Sequence, residues 1–375
     1  MRFGLLRPLH TFNGGCLWGG SMQSGRSLRL DNAKGALIIL VVLGHFLWQY
    51  REDAGVSTLV LALYVFHMPA FVLISGYLSG VDLARNARGA ARLLAMYVLA
   101  NGLMTCLVVA ATGAAPSLLD PYYSFWYLLS LICWRLTLPF VASFRLALPL
   151  CTAAALASGF APEIGNDLSL MRTIAFYPFF LLGYRLRSRG VDEGSIEGRR
   201  RVGAAMLAVG IAAAVAAVAL FGVGERDVMM YAYRDGLAAG LARRMAVLAI
   251  ALIASVGLVL ALPDRRLPAV TGWGARSLPI YLFHRFATLA FVKVLPAPAA
   301  LLSPVGAASL VATLATCAIL GSVPFARLWD RVVDRVCALA RIPEGPGSAS
   351  REALGTALAL LLIVTMVLQG TMGWE

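Results

Sequence analysis

The chain is short of charged residues and of histidine. Charged residues make up 14% of its 375 residues, hydrophobic residues make up 60%, and there are four histidines. Soluble domains are about 25% charged and about 45–50% apolar, so this composition excludes an ordinary soluble domain. Apolar runs of about 20 residues, the length that crosses a bilayer, recur along the chain. We therefore predict an all-α, polytopic transmembrane helix bundle of about 10–11 spans.

Patterns that bind metals or form disulfides are also missing. The six cysteines form no C-x-x-C pair, which excludes a disulfide framework and a cysteine zinc site. The histidines show no HxxxH or HExxH spacing, and aspartate and glutamate are nearly absent from the predicted spans. We therefore expect no metal. A G-x-S-x-G elbow is absent as well, which argues against a serine hydrolase.

The formal net charge of +13 has an explanation in membrane topology. The arginines lie mostly in short segments on alternate connections between apolar runs, as the positive-inside rule requires. This regularity predicts a cytoplasmic N-terminus. No connection is long enough to hold a nucleic-acid-binding module, so we predict the lipid bilayer and no nucleic acid as a partner.

The apolar runs divide the chain into four predicted regions. Residues 1–28 are basic and lack the continuous apolar segment of a signal peptide, so we interpret them as a cytoplasmic extension. Residues 29–325 form the membrane domain, residues 326–353 a charged cytoplasmic loop, and residues 354–375 the final span and C-terminus. The predicted spans lie near 33–51, 58–80, 92–112, 124–141, 144–160, 171–187, 202–222, 243–263, 277–296, 303–325 and 354–371.

Three of the four histidines fall inside predicted spans. His45 follows Lys34 by eleven residues, about 16 Å along a helix at about 1.5 Å per residue, which places its imidazole at or beyond mid-membrane. The short "REDAGVS" turn returns His67 to a comparable depth, and His284 enters the same layer in a later span. Ionisable groups are costly inside a bilayer, so we expect function from these rings. Structural hydrogen bonding is the alternative for each.

One segment breaks the charge rule. Residues 224–244, "GERDVMMYAYRDGLAAGLARR", should face outward, yet they carry Arg226, Arg234, Arg243 and Arg244. Either the next span starts late and these are loop or snorkelling charges, or they form an outward-facing basic and aromatic surface that holds an anionic or sugar-bearing substrate.

Two motifs near the N-terminus carry a family resemblance. "RLDNAKGALIILVVLGH" at 29–45 and "LYVFHMPAFVLISGYL" at 63–78 resemble the integral-membrane acyltransferase-3 family, in particular the branch of fucose O-acetylases and exopolysaccharide or Nod-factor acetyltransferases. Weaker motifs follow in the family's order. They are "RLLAMY" at 92–97, "SFWYLLSL" at 124–131, "FYPFFLLGYRL" at 176–186 and "SLPIYLFH" at 277–284.

The resemblance implies an acyl transfer, usually of acetyl, from cytoplasmic acetyl-CoA as co-substrate to a sugar hydroxyl. The family's basic residue, ten intervening residues and histidine correspond to Lys34 and His45, with His45 as the catalytic base. His67 is the second catalytic candidate, to orient the acceptor or to stabilise the oxyanion. The family's arginine pair after the second span corresponds to Arg85 and Arg88 or, in imperfect register, to Arg88 and Arg92.

Cations at the cytoplasmic face suit the phosphates of coenzyme A, so Lys34, Arg88 and Arg92 are the predicted donor-binding residues. An imidazole, with an ordinary pKa of about 6.5, suits the role of base toward the acceptor hydroxyl. The predicted acceptor-binding residues are Ser75, Tyr77, Trp126, Tyr177, His284 and Arg234.

We therefore predict an O-acetyltransferase of the bacterial inner membrane that acts on a carbohydrate or lipid-linked saccharide, such as an exopolysaccharide repeat unit, alongside polysaccharide-assembly proteins. A succinyl transferase for periplasmic glucans differs only in the acyl donor. A transporter or flippase for a polysaccharide intermediate is the alternative from another class. It predicts inverted repeats and paired broken helices, and the sequence shows neither. Direct transfer and an acyl-enzyme intermediate both remain open.

Overall fold

A computed structural model describes residues 27–113, 121–164, 167–192, 194–234, 236–294 and 304–340. The predictions for residues 1–26 and for the final span at 354–371 therefore lie outside the described residues. The described chain is helical, with no strand in these ranges.

Thirteen α-helices occur among the described residues. They are α1 Leu28–Leu47, α2 Ala54–Tyr77, α3 Leu83–Thr112, α4 Trp126–Val141, α5 Ala147–Ala157, α6 Leu170–Ser188, α7 Arg200–Phe221, α8 Glu225–Val228, α9 Leu237–Ala261, α10 Val270–Ala275, α11 Ser277–Val294, α12 Pro304–Leu320 and α13 Val323–Leu339.

Several of these helices can cross a bilayer. Five are long and apolar enough, namely α2, α3, α7, α9 and α1 together with the 3₁₀ turn Trp48–Tyr50, and α12 with α13 counts as a sixth if this pair, bent by 57°, is one span. Helices α4 and α5 are apolar but shorter. The all-α class and the multi-pass membrane character are confirmed, whereas the count of spans and the cytoplasmic N-terminus stay predictions.

Side-chain caps set where the first three helices begin. The Ser27 hydroxyl accepts a hydrogen bond from the Leu30 amide at 3.0 Å, and the Asp53 carboxylate accepts one from the Val56 amide at 2.8 Å. Asp82 caps α3 in the same way. Such caps satisfy amides that have no partner inside the helix. Because only residues 51–53 separate the 3₁₀ turn from α2, α1 and α2 form a tight antiparallel hairpin.

The predicted loop at 326–353 is wrong in its first half, because α13 runs to Leu339. Ser322 caps the helix, and its charges lie on one face of a strongly amphipathic sequence. Two of them, Asp330 at 3.1 Å and Asp334, form ion pairs with Arg92 of α3. The density of charged residues favours a loop in the sequence, but two of the carboxylates, Asp330 and Asp334, are paired with an arginine of another helix.

Glycines bring α2 and α6 into backbone contact. A Cβ added at Gly183 would lie 2.0 Å from the Leu73 carbonyl oxygen, and one at Gly76 would lie 1.9 Å from the Phe180 carbonyl oxygen. Real Cβ atoms do not approach this closely, so only glycine permits the crossing. Small residues at such contacts are typical of helices packed within membranes.

We predict that Gly183→Ala lowers the stability of the folded protein by about 1–3 kcal/mol, because the added methyl must push two backbones apart. Thermal unfolding in detergent measures this as a lower Tm. Gly102→Ala is the matched control, since Gly102 is also helical and nothing lies within 4 Å of an added Cβ. Equal melting temperatures for the two variants would contradict the close crossing.

Candidate active site

A cavity of about 190 Å³ lies where α1, α2, α4, α6 and α11 meet the segment 228–231. Aromatic side chains form much of its wall, including Trp48, Trp126 and Tyr281. Its other polar lining consists of two histidines, two arginines and three hydroxyl-bearing side chains, which are His45, His67, Arg172, Arg285, Tyr64, Ser124 and Tyr231. The cavity therefore combines candidate bases, cations and hydrogen-bond donors within an apolar bundle.

His45 and His284 form a hydrogen-bonded pair. His284 Nε2 lies 3.2 Å from His45 Nδ1, and the two ring centroids are 4.8 Å apart. His284 is fully buried behind His45, which itself lines the cavity. The predicted convergence of His45 and His284 is thus present in the structure.

Backbone carbonyls determine which ring nitrogens carry hydrogen. His284 Nδ1 lies 2.7 Å from the Tyr281 carbonyl oxygen, and His45 Nδ1 lies 2.8 Å from the Val41 carbonyl oxygen. A carbonyl only accepts, so in the neutral rings both Nδ1 atoms donate and both Nε2 atoms have a lone pair. His45 Nδ1–H is then shared between Val41 and His284 Nε2, and His45 Nε2 is free to accept a proton.

His67 shares this arrangement on the facing helix. Its Nδ1 donates to the Leu63 carbonyl oxygen at 2.7 Å, which again leaves Nε2 as the acceptor. Tyr64 lies between the two cavity histidines, with its ring centroid 5.8 Å from that of His45 and 4.9 Å from that of His67. Helix α2 thus contributes an acceptor and a phenol to the same cavity.

Arg172 joins two walls of the cavity. Its Nη2 donates to the Tyr231 hydroxyl at 3.1 Å and its Nε donates to the Met229 carbonyl at 3.4 Å. The guanidinium lies 5.4 Å from the ring centroids of both Trp126 and Tyr231, within the range of a cation–π contact. Arg172, Trp126 and Tyr231 thus form a cationic, aromatic part of the cavity wall.

The segment 224–244 fits neither sequence interpretation fully. Val228, Met229 and Tyr231 line the cavity, as expected of a substrate surface. Its arginines do not: Arg243 pairs with Asp227 at 3.1 Å, and buried Arg244 donates to the Ser158 hydroxyl at 3.1 Å and to the Tyr231 carbonyl. These arginines hold the segment in place, because a guanidinium can donate several hydrogen bonds at once.

The sequence of the chain is similar to those of a known family and of two known proteins. Residues 27–324 match the model of the acyltransferase-3 family, described as an acyltransferase domain. The chain belongs to this family.

Two curated relatives of the chain are proteins described as "Nodulation protein NolL". The one from Mesorhizobium japonicum is 30% identical over 198 residues, 47% of this chain and 52% of the relative. The one from Sinorhizobium fredii is 32% identical over 197 residues, which cover 46% of this chain and 53% of the relative.

The chain thus spans about half the length of these nodulation proteins. No solved structure matches it. The predicted family resemblance is confirmed, and the chain is a multi-pass membrane protein with an acyltransferase domain.

Four of the eleven predicted site residues meet at the cavity. His45, His67 and Trp126 line it, and His284 reaches it through His45. Arg234 is exposed and is not part of the lining.

Three other predicted acceptor residues have partners elsewhere. Ser75 and Tyr127 are hydrogen-bonded through their hydroxyls at 2.5 Å. The Tyr77 hydroxyl donates to the Val191 carbonyl at 2.8 Å, and the Tyr177 hydroxyl is 2.8 Å from that of Thr137. None of the three predicted residues lines the cavity. Their polar groups were recognisable in the sequence, but their direction was not.

The predicted donor-binding cations are likewise away from the cavity lining. Lys34 is 6% exposed and forms an ion pair with Asp31, 3% exposed, at 2.8 Å. Arg92 pairs with the two carboxylates of α13, and Arg88 is half-buried near the start of α3. Lys34 and Arg92 thus have structural ion pairs in addition to any role with coenzyme A.

Several cavity residues escaped the sequence analysis. Arg172 and Arg285 are ionisable groups within predicted spans, a signal that identifies functional candidates, and Arg285 directly follows His284. Tyr64 and Ser124 gave no signal beyond their proximity to quoted motifs, since a phenol or hydroxyl is common in any helix. Among the described residues, no group of three metal-ligating side chains could hold a metal ion.

We predict that Asp31→Ala destabilises the protein by several kcal/mol, about 3–5 for a fully buried pair, because it leaves the charge of Lys34 without this carboxylate. The double variant Asp31→Ala/Lys34→Met should recover much of that loss, because it removes both charges and keeps an apolar chain. Thermal or denaturant unfolding in detergent measures both. A double variant as unstable as the single one would show that the ion pair is not the source of the effect.

Proposed function

We propose that this protein is an O-acetyltransferase that moves an acetyl group from acetyl-CoA to a hydroxyl of a carbohydrate, with His45 as general base. The observation that carries the proposal is the hydrogen-bonded pair of His284 and His45, at 3.2 Å, beside a cavity in a chain of the acyltransferase-3 family. The pair leaves His45 Nε2 open to a substrate hydroxyl.

The chemistry balances with this one base. The acceptor oxygen attacks the thioester carbonyl carbon and forms the new C–O bond, while its proton passes to His45 Nε2. The tetrahedral intermediate then collapses, the C–S bond breaks, and the proton on Nε2 passes to the departing thiolate. The products are the acetyl ester and coenzyme A, and His45 returns to its first state.

His284 supports this cycle as a positioning residue. Its Nε2 lone pair accepts from His45 Nδ1–H, which fixes the tautomer that presents Nε2 to the cavity. The same contact stabilises the positive charge on His45 while it holds the proton, as a hydrogen-bonded partner does for a catalytic histidine. A direct transfer needs no acyl-enzyme, and His45 as nucleophile is the competing route.

The aromatic wall supports a carbohydrate acceptor. Trp126 and Tyr231 offer apolar faces, and Arg172 holds a guanidinium between them. Sugar rings present apolar C–H faces and hydroxyl edges, which such a wall can contact and hydrogen-bond. The acceptor is here proposed to be an exopolysaccharide repeat unit or another lipid-linked saccharide at the bacterial inner membrane.

The donor is proposed to enter from the membrane face where α1 and α3 begin. Lys34, Arg88 and Arg92 lie within the first three turns of these helices, and cations there would contact the phosphates of coenzyme A. A succinyl donor would use the same route. Family membership favours a transferase over a flippase, since the matched domain is an acyltransferase.

We predict that His45→Gln lowers transfer of radiolabelled acetyl from acetyl-CoA to membrane saccharide by about 10²–10⁴-fold, because no general base remains. His284→Gln should give a smaller loss, because the base is present but poorly oriented. His10→Gln, which alters the histidine outside the predicted spans, is the matched control. Each variant is checked by size-exclusion profile and Tm, so that loss of fold is recognised.

Two results would refute this assignment. One is full transfer by a correctly folded His45→Gln variant, which would eliminate the base. The other is an acetylated protein trapped with donor alone in wild type and not in His45→Gln, which would make His45 a nucleophile. Absence of labelled protein together with normal transfer supports the direct route.

A further inference from the structure

We infer that Tyr64 is a second catalytic residue of this cavity, whose hydroxyl donates a hydrogen bond to the thioester carbonyl oxygen as negative charge develops there. The inference rests on the proposed acyl transfer and deepens it, since that proposal supplies a base and names no donor for the oxyanion.

The Tyr64 hydroxyl is buried without a partner. The residue is 6% exposed, and its oxygen has no hydrogen-bond partner among the described residues. Leaving a buried polar group unsatisfied is destabilising, and most such groups in proteins find a partner. Since Tyr64 lines the cavity, the missing partner is best supplied by a substrate atom.

Other cavity tyrosines differ in this respect. The Tyr281 hydroxyl donates to the Ser124 carbonyl, and the Tyr231 hydroxyl accepts from Arg172 at 3.1 Å. Tyr127, just behind the lining, is hydrogen-bonded to Ser75 at 2.5 Å. Each of these hydroxyls has a hydrogen-bond partner within the protein, whereas the Tyr64 hydroxyl has none among the described residues and can respond fully to charge on a substrate.

The ring of Tyr64 is rigidly held beside the base. It stacks on Trp48 with centroids 5.3 Å apart and ring planes 3° apart, and it meets His67 edge-on at 4.9 Å. Gly44 makes this position possible, because a Cβ there would lie 2.9 Å from Tyr64 Cε1. The glycine immediately before His45 therefore admits the phenol next to the base. Preorganised donors of this kind need no rearrangement as the reaction proceeds.

The chemistry of a phenol suits the role. Its ordinary pKa of about 10 keeps the hydroxyl protonated at neutral pH, so it donates and does not compete with His45 for the acceptor's proton. As the acceptor oxygen bonds to the carbonyl carbon, the carbonyl π electrons move to oxygen, and Tyr64 Oη–H donates to that oxyanion. When the C–S bond breaks, the electrons return and the hydrogen bond weakens.

Tyr64→Phe tests this inference, since it removes one oxygen and keeps the ring packing. We expect kcat for acetyl transfer to fall by about 10²-fold, as for the loss of one oxyanion donor, with KM for acetyl-CoA changed less than about twofold. The matched control is Tyr97→Phe, which alters a buried tyrosine of α3 outside the cavity lining and should keep wild-type kcat.

A binding measurement gives a second readout that does not depend on turnover. S-Carboxymethyl-CoA carries a negatively charged oxygen near the position of the carbonyl oxygen and cannot transfer an acyl group. It should bind Tyr64→Phe about tenfold more weakly than wild type, whereas unmodified coenzyme A should bind both equally, as measured by calorimetry in detergent.

The outcomes separate the two proposals. Wild-type kcat and unchanged S-carboxymethyl-CoA binding in Tyr64→Phe, with His45→Gln inactive, would overturn the role of Tyr64 alone. Full activity of His45→Gln, or a wild-type protein that transfers no acetyl, would overturn the proposed function and with it the reaction that Tyr64 serves. If Tyr64→Phe unfolds, Gly44→Ala replaces it as the test variant, because the added methyl keeps the Tyr64 hydroxyl but displaces the Tyr64 ring. Gly44→Ala should lower kcat. A wild-type kcat for Gly44→Ala would overturn the inference.

Discussion

The hydrogen bond from each imidazole to its own helix is the interaction on which this site depends. His45, His67 and His284 all direct Nδ1 at a carbonyl three or four residues earlier, where a second lone pair is available beside the helical hydrogen bond. The helix backbone therefore selects one tautomer for all three neutral rings and presents every Nε2 away from its own helix. In a membrane bundle with few polar partners, a backbone carbonyl is the acceptor that is always within reach.

Glycine then sets how closely these helices approach. Gly44 admits the ring of Tyr64 beside His45, and Gly76 and Gly183 bring the far end of α2 against α6. At the start of α1, a Cβ on Gly35 would lie 2.1 Å from the Val270 carbonyl oxygen, and Asn32 donates to the Pro263 and Arg265 carbonyls at 2.9 and 2.8 Å. Close packing of small residues, with polar groups satisfied by backbone, replaces the hydrophobic driving force that lipid removes. At the cavity, by contrast, most of the lining side chains are large.

The helical bundle and the meeting of His45 with His284 could be predicted from the sequence, whereas the ion-pair partners of Lys34 and Arg92 were not predicted. Apolar runs and rare imidazoles are local signals, and an ionisable group in a span is conspicuous wherever it points. The role of Lys34 was inferred from its charge and its place in the family motif, although Asp31, three residues earlier on the same helix face, was a visible partner. The pairing of Arg92 with α13 and the convergence of Tyr64 and Arg172 on His45 join distant parts of the chain. No periodicity in one sequence encodes such contacts.

The charges around the cavity match the charge that the proposed reaction would create. Among the described residues that line it are two guanidinium groups, Arg172 and Arg285, and no carboxylate. Attack on a thioester places negative charge first on the carbonyl oxygen and then on the departing sulfur. A lining of cations and hydroxyl donors therefore interacts more strongly with the transition state than with the neutral thioester, and only such differential interactions raise kcat. A cavity that merely bound a neutral sugar for transport would gain nothing from this distribution of charge.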